Sequence, residues 1–79
     1  MNKKTIMNEI KLLEEMIRHQ EAKALKLARE IIPGISPEDI MNAQDFPELE
    51  RNGQFNFEDG ILAGLKSALM AIKGSRNLL

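Results

Sequence analysis

Residues 3–32 read KKTIMNEIKLLEEMIRHQEAKALKLAREII and decide the fold class. With one exception, apolar side chains recur in this stretch at alternating steps of four and three, the heptad pattern of a helix packed lengthwise on another helix. These positions form what we call the heptad seam: Ile6, Ile10, Leu13, Ile17, Gln20, Ala24, Leu27 and Ile31. Pro33-Gly34 ends the run. The pattern predicts a helix over residues 3–32, about 45 Å long, which needs a long partner helix.

The exception in the heptad seam is Gln20, at its midpoint. A polar group there costs stability unless it is hydrogen-bonded, but it can fix register or oligomeric state. Two chains crossing antiparallel near Gln20 and Ala24 would bring their glutamines together. Alternatively, Gln20 lies at the border of the seam and reaches solvent, and the sequence leaves both interpretations open.

Residues 35–54 form an acidic, turn-rich segment. Ser36-Pro37-Glu38-Asp39 has the N-cap, N1 proline and N3 acid of a helix start, so we expect a brief helix over residues 37–43. Asp45-Phe46-Pro47-Glu48 predicts a turn that opens one more short helical piece, ended by Asn52-Gly53. We expect three apolar residues to close the open end of the bundle: Phe46, Leu49 and Phe55.

Residues 57–73 predict a second long helix, with Asn56 as its N-cap and Gly74 as the residue after its C-terminus. At about 100° per residue, apolar side chains fill one wide arc: Phe57, Ile61, Leu62, Leu65, Ala68, Leu69 and Ile72. What we call the small-residue arc lies beside it: Gly60, Ala63, Gly64, Ser67, Ala71 and Gly74. Interior glycines cost helix stability, so we expect a second helix to approach closely along this arc.

Charge divides the chain into three parts although the net charge is only −1. Residues 1–34 hold seven basic and five acidic residues, residues 35–60 hold one basic and seven acidic residues, and residues 61–79 hold three basic and no acidic residues. The middle part therefore carries −6, between ends of +2 and +3. Such a distribution indicates head-to-tail complementarity or a basic partner, or only a role in solubility.

Candidate sites for chemistry are few. Glu15 and His19 stand four residues apart and could share a metal ion, although a second chain would have to complete the site, and a solvated salt-bridge face explains them as well. The carboxylates at 14 and 15 lack the Glu-x-x-His pairing of di-iron bundles, and the acids of residues 39–59 lack EF-hand spacing. A basic strip could follow a phosphate backbone: Lys4, Lys11, Arg18 and Arg29.

These features predict a single all-α domain over residues 1–79. A long N-terminal helix packs antiparallel on a C-terminal helix, with a short helical and turn insert between them, and the chain assembles into a homodimer or higher oligomer. A chain of 79 residues without cysteine cannot use disulfides and is marginal alone, which favours oligomerisation. We expect the oligomer interface to use the heptad seam and four members of the small-residue arc: Gly60, Gly64, Ser67 and Ala71.

The leading functional hypothesis is a small interaction or adaptor protein with no enzymatic activity and no cofactor. Its partners would be a second copy of itself and another protein, met by a surface formed by Asp45, Phe46, Glu48 and Glu50. Two alternatives are a nucleic-acid-binding regulator that uses the basic strip, although we favour no nucleic-acid partner, and a metal-binding protein with Glu15 and His19 between chains. The start of the chain lacks a signal-peptide pattern and no apolar run suits a bilayer, so we expect a cytoplasmic protein without membrane contact.

Overall fold

The computed structural model describes residues 3–76 and contains only helices and turns within that range. Helix α1 covers Lys3–Ile31, α2 covers Pro37–Ile40, a single 3₁₀ turn covers Ala43–Asp45, α3 covers Pro47–Glu50, and α4 covers Gly53–Arg76. The two long helices pack on each other, which confirms the predicted all-α class. Lys23 meets Glu58 and Glu21 meets Lys66, so α4 runs antiparallel to α1.

The end of α1 and the turn after it follow the sequence prediction closely. The helix ends at Ile31, and Gly34 adopts a φ of 87°, a left-handed conformation that residues with a side chain rarely adopt. The Arg29 Nε then donates a hydrogen bond of 3.2 Å to the Ile35 carbonyl oxygen, which ties the returning chain to the last turn of α1. Ile35 is buried as a result.

The predicted start of the insert is confirmed in detail. The Ser36 Oγ accepts a hydrogen bond of 3.1 Å from the Asp39 backbone nitrogen, and the Asp39 Oδ2 accepts one of 3.1 Å from the Ser36 backbone nitrogen. This reciprocal capping box satisfies two backbone donors that a helix start otherwise leaves unpaired. The helix is shorter than the predicted 37–43, because it stops at Ile40 and the chain turns through residues 43–45 instead.

The predicted boundaries of the C-terminal helix are wrong at both ends. The helix begins at Gly53, because the Asn52 Oδ1 accepts a hydrogen bond of 2.8 Å from the Phe55 backbone nitrogen and so caps it four residues before the predicted cap. Asn56 lies inside the helix, where its Nδ2 donates a hydrogen bond of 2.8 Å to the Glu50 carbonyl oxygen. The helix then continues through Gly74 to Arg76, because Gly74 does not take the positive φ of a terminating glycine.

The core lies at the end of the hairpin where the insert packs. Ala24 and Ala28 of α1, Ile35, Leu49 of α3 and Phe55 of α4 form one buried cluster. Leu49 and Phe55 are fully buried, and Phe46 packs against the cluster while remaining partly exposed, so the predicted closure of this end is confirmed. The small side chains of Ala24 and Ala28 leave room for the insert to pack closely against α1.

The remainder of the molecule is a thin rod. Its principal dimensions are 44 × 19 × 17 Å and its radius of gyration is 15.0 Å, against about 12 Å for a compact domain of this length. Away from the insert, α1 and α4 have only each other to pack against. Each long helix therefore buries one stripe and leaves its flanks in solvent.

The cap at Asn52 can be tested against the cap that the sequence predicted at Asn56. We expect Asn52→Ala to lower the free energy of unfolding by about 1 kcal/mol, because the Phe55 amide loses its acceptor at the helix start. Asn56→Ala should cost less, because alanine suits a helix interior and only one exposed side-chain hydrogen bond is lost. Urea denaturation followed by circular dichroism measures both; a larger loss for Asn56→Ala would restore the predicted boundary.

Candidate interaction surfaces

The most unusual side chain of the hairpin is Glu58, which is only 5% exposed. Its Oε2 lies 3.0 Å from the Lys23 Nζ, and its Oε1 lies 3.4 Å from the Gln20 Nε2. The same Gln20 nitrogen donates a hydrogen bond of 2.8 Å to the Glu58 backbone carbonyl oxygen. The buried carboxylate is therefore paired with a positive charge and hydrogen-bonded, the two conditions under which a protein tolerates a buried charge.

These contacts place the polar residue of the heptad seam. Gln20 is half-buried and bonds to α4 of its own chain, which is neither of the two arrangements considered from the sequence. A slip of α1 along α4 by one turn would separate Gln20 and Lys23 from Glu58 and leave a buried carboxylate without partners. The contact therefore fixes the register of the hairpin, as a polar seam residue does in coiled coils.

Sequence reasoning missed the part that Glu58 plays. The predicted helix start at residue 57 would put Glu58 in the first turn, where an acid favours the helix N-terminus. Because α4 starts at Gly53, Glu58 lies inside the helix and faces α1. The sequence does contain a pattern that indicates this position. Glu58 is the first member of a row of residues spaced alternately three and four apart, and the other members are apolar: Ile61, Leu65, Ala68 and Ile72.

Two ion pairs distinguish the two long edges of the hairpin. Lys23 and Glu21 lie on opposite sides of the buried Ala24, and Glu58 and Lys66 lie on opposite sides of the buried Leu62. The pair of Lys23 and Glu58 therefore marks one edge of the hairpin. The pair of Glu21 and Lys66 marks the other edge, and the Glu21 Oε2 lies 3.8 Å from the Lys66 Nζ.

The edge marked by Lys23 and Glu58 carries most of the exposed large apolar side chains of the two long helices. On α1, Leu12 is 62% exposed and Met16 is 43% exposed; on α4, Phe57 is 68% exposed and Ile61 is 38% exposed. Heptad spacing puts Met16 on the same side of α1 as Lys23, and Ile61 follows Glu58 by one turn on α4. We call these four residues the apolar edge.

The heptad seam divides between the interior and this edge. The buried members are Ile6, Ile10, Ile17 and Ala24, and the half-buried members are Leu13, Gln20, Leu27 and Ile31. Leu13, Gln20 and Leu27 belong to the seam row that borders the apolar edge. Packing of α1 on α4 thus buries much of the heptad seam within one chain and leaves part of one seam row accessible to a second chain.

Except for Ala63 at its border, the small-residue arc faces away from α1. Its members are exposed, and a Cβ added at Gly60 or Gly64 would meet no neighbouring atom within 4 Å. Within one chain, therefore, no packing contact explains the two interior glycines. The predicted close approach of a second helix along this arc stays a prediction.

A groove runs along the opposite edge, marked by Glu21 and Lys66. It has a volume of about 490 Å³ and lies between α1, α4 and the insert. Its lining is mainly apolar and comes from all three: Ala22, Ala24 and Leu25 from α1, Pro37, Ile40, Met41 and Ala43 from the insert, and Leu62 and Ala63 from α4. Sequence reasoning missed this groove, because the side chains that form it are far apart along the chain.

The predicted partner surface is split by the fold. Asp45, Glu48 and Glu50 are exposed, whereas Phe46 is half-buried and packs against the core. Phe46 therefore supports the segment that carries the acids and offers only part of its ring to a partner. The acidic character of the insert remains at the surface.

The candidate metal and nucleic-acid sites are exposed side chains on α1. The Glu15 Oε1 lies 3.9 Å from the His19 Nε2, and its Oε2 lies 3.8 Å from an Arg18 guanidinium nitrogen. Among the described residues, no group of three or more His, Cys, Asp or Glu side chains is arranged to hold a metal ion. The basic strip is exposed as well, although Arg29 also bonds to Ile35 and Arg18 pairs with Glu15.

The chain matches no protein-family model, no curated protein and no solved structure. Over residues 3–76, none of the helices has the length and apolar character needed to cross a lipid bilayer.

The contact at Glu58 makes a direct prediction. Lys23→Ala should lower the free energy of unfolding by about 1 kcal/mol, because Glu58 stays buried with Gln20 as its remaining partner. The loss is no larger because solvent screens the lysine, whose side chain is 66% exposed. Adding Glu58→Leu to that variant should recover the loss, because the unpaired carboxylate is then gone. Lys26→Ala is the matched control on the exposed side of α1, where the same substitution should cost nothing because alanine favours a helix. An equal loss for it would show that the effect at Lys23 does not come from the contact with Glu58.

Proposed function

We propose that this protein is a small interaction protein that works as a homodimer, formed by packing the apolar edge of one hairpin against the apolar edge of a second copy. The observation that carries the proposal is the exposure of four large apolar side chains along one edge: Leu12, Met16, Phe57 and Ile61. Burial of each such side chain stabilises an assembly by roughly 1.5–3 kcal/mol. Two antiparallel hairpins joined in this way give a four-helix bundle.

The exposed surface is large enough for an interface of standard size. A folded monomer of 8.9 kDa is expected to expose about 4,800 Å², whereas this chain exposes 5652 Å². The excess is close to the roughly 800 Å² that each partner buries in a protein–protein interface of standard size. One face of a rod of 44 × 19 Å provides that area.

A second copy fits the apolar edge better than a single short peptide. The edge extends along both long helices, from Leu12 on α1 to Phe57 on α4, and heptad-spaced rows favour shallow-angle packing against equally long helices. The half-buried Leu13 and Leu27 adjoin it. In a two-fold dimer each copy would cover the other's apolar edge with the same surface.

Four members of the small-residue arc are part of this proposal: Gly60, Gly64, Ser67 and Ala71. Gly64 and Ala71 lie next to the row of Ile61 and Ala68 on α4, so a second α4 resting on that row could approach the glycine backbone closely. Such an approach would explain two interior glycines that have no packing role within the hairpin. The assembled bundle would then present an acidic insert at the closed end of each hairpin, where Asp45, Glu48 and Glu50 are exposed to other partners.

Sedimentation equilibrium across a concentration series tests the dimer. We expect the mass of two chains for the natural protein, and the mass of one chain for the double variant Leu12→Glu, Phe57→Glu, because two charges would have to be buried in the interface. Met70→Glu is the matched control, since Met70 is 74% exposed on the other side of α4; it should remain dimeric. A single-chain mass for the natural protein at every concentration would refute the proposal.

The glycines of the small-residue arc give a separate test. In the monomeric double variant, Gly60→Ala and Gly64→Ala should each raise the free energy of unfolding by about 0.5–1 kcal/mol, because the space around them is open and alanine favours a helix. In the natural background the same pair should weaken dimerisation, since added methyl groups would separate the two α4 helices. An unchanged dissociation constant would remove the arc from the interface and leave the apolar edge alone.

A further inference from the structure

The groove along the Glu21–Lys66 edge lies outside the proposed dimer interface. The apolar edge is on the other side of the hairpin, so a second copy seated there leaves the groove open to solvent. Its floor includes the buried Ala24 and Leu62, and its walls belong to three separate parts of the chain. The groove can therefore receive a different molecule at the same time.

The shape and chemistry of the lining suit apolar side chains. Ala22, Ala24, Ala43 and Ala63 line it with small groups, which leaves depth for larger side chains to enter. Met41 stands at its rim and is 77% exposed. An unbranched, polarisable methionine adapts to differently shaped apolar partners, and methionines are common on surfaces that accept helices.

The residues that line the groove carry a net charge of −1, and the insert beside it is acidic. Of the charged residues that line it, Glu21 and Lys66 pair with each other, which leaves Asp59 as the unbalanced charge. The insert that forms one wall adds exposed carboxylates at Glu38, Asp45 and Glu48. An anionic amphiphile would therefore be repelled, whereas a cationic partner would be attracted and oriented.

We propose that this groove binds an amphipathic helix of another protein, with apolar side chains in the groove and lysine or arginine residues beside Asp59 and the acidic insert. Helices bind grooves in this manner by placing apolar residues at i, i+3, i+4 and i+7 along one face. A volume of about 490 Å³ holds a few apolar side chains from such a helix. The proposal makes the partner role of the acidic insert specific; it rests on that role and not on dimerisation.

The probe is a fluorescein-labelled peptide of about 14 residues, long enough for four helical turns, with leucine on one face and lysine on the other. Two companion peptides separate the contributions: one has glutamate in place of every lysine, and one has the leucines and lysines of the probe in scrambled order. Fluorescence anisotropy against the natural protein should show binding of the lysine probe that weakens with added salt. Binding of the other two peptides should be at least tenfold weaker.

Variants then locate the binding to the groove. Ala63→Trp from α4 and Ala22→Trp from α1 fill the groove from opposite walls without removing a buried group, and each should weaken probe binding about tenfold. Asp59→Asn should weaken probe binding about two- to fivefold through the loss of one charge pair with the peptide. Asn8→Trp is the control, because it adds the same indole to the outer face of α1, away from the groove, and should leave binding unchanged.

Several outcomes would overturn the proposal. Equal binding of the lysine and glutamate peptides would show that the charge of the groove does not select the partner. Equal binding of the scrambled peptide would show that the lysine probe binds by nonspecific attraction. Unchanged binding in both tryptophan variants, with native helical content by circular dichroism, would place the peptide elsewhere. Sedimentation equilibrium of the same variants keeps the two questions apart, because loss of peptide binding with a two-chain mass counts against the groove and not against the dimer.

Discussion

The structure depends on one constraint: two long helices can cover only one stripe of each other. α1 and α4 bury Ile6, Ile10, Ile17 and Leu62 between them, but apolar residues occupy a much wider arc on α4 than α1 can shield. A third helix would ordinarily cover the remainder. Here the insert covers one end of one side, and the other side stays open over much of its length.

The insert makes the two ends of the rod unequal. At the closed end, Ile35, Leu49 and Phe55 pack against alanines of α1 in a buried cluster. Among the described residues, this cluster is the only core that combines side chains from more than two elements. Toward the open end, α1 and α4 lie alone against each other. The Gln20 and Lys23 contacts to Glu58 lie between these regions and hold the register on which both depend.

The same asymmetry separates two kinds of surface. On the edge that the insert does not reach, large side chains such as Leu12 and Phe57 project into solvent, a surface suited to another hairpin. On the edge that the insert partly encloses, alanines and a few larger apolar side chains line a groove beside the acidic insert, a surface suited to a narrower, cationic element. The proposals for dimerisation and for helix binding follow from this difference and use different residues.

Local signals in the sequence were enough to determine the all-α class, the long first helix, the sharp turn at Pro33-Gly34 and the capping box at Ser36. Each depends on hydrophobic spacing or on a hydrogen bond between residues close in the chain, so neighbouring residues suffice. The start of α4 was misplaced because Asn52 and Asn56 are both plausible caps, and only the packing of Phe55 into the core decides between them. Only the tertiary structure decided that Gln20 and Lys23 meet Glu58, and that one edge of the hairpin holds a groove while the other exposes apolar side chains. These features bring together residues that are far apart in the chain. A pattern along one helix does not reveal which of its sides another helix will cover.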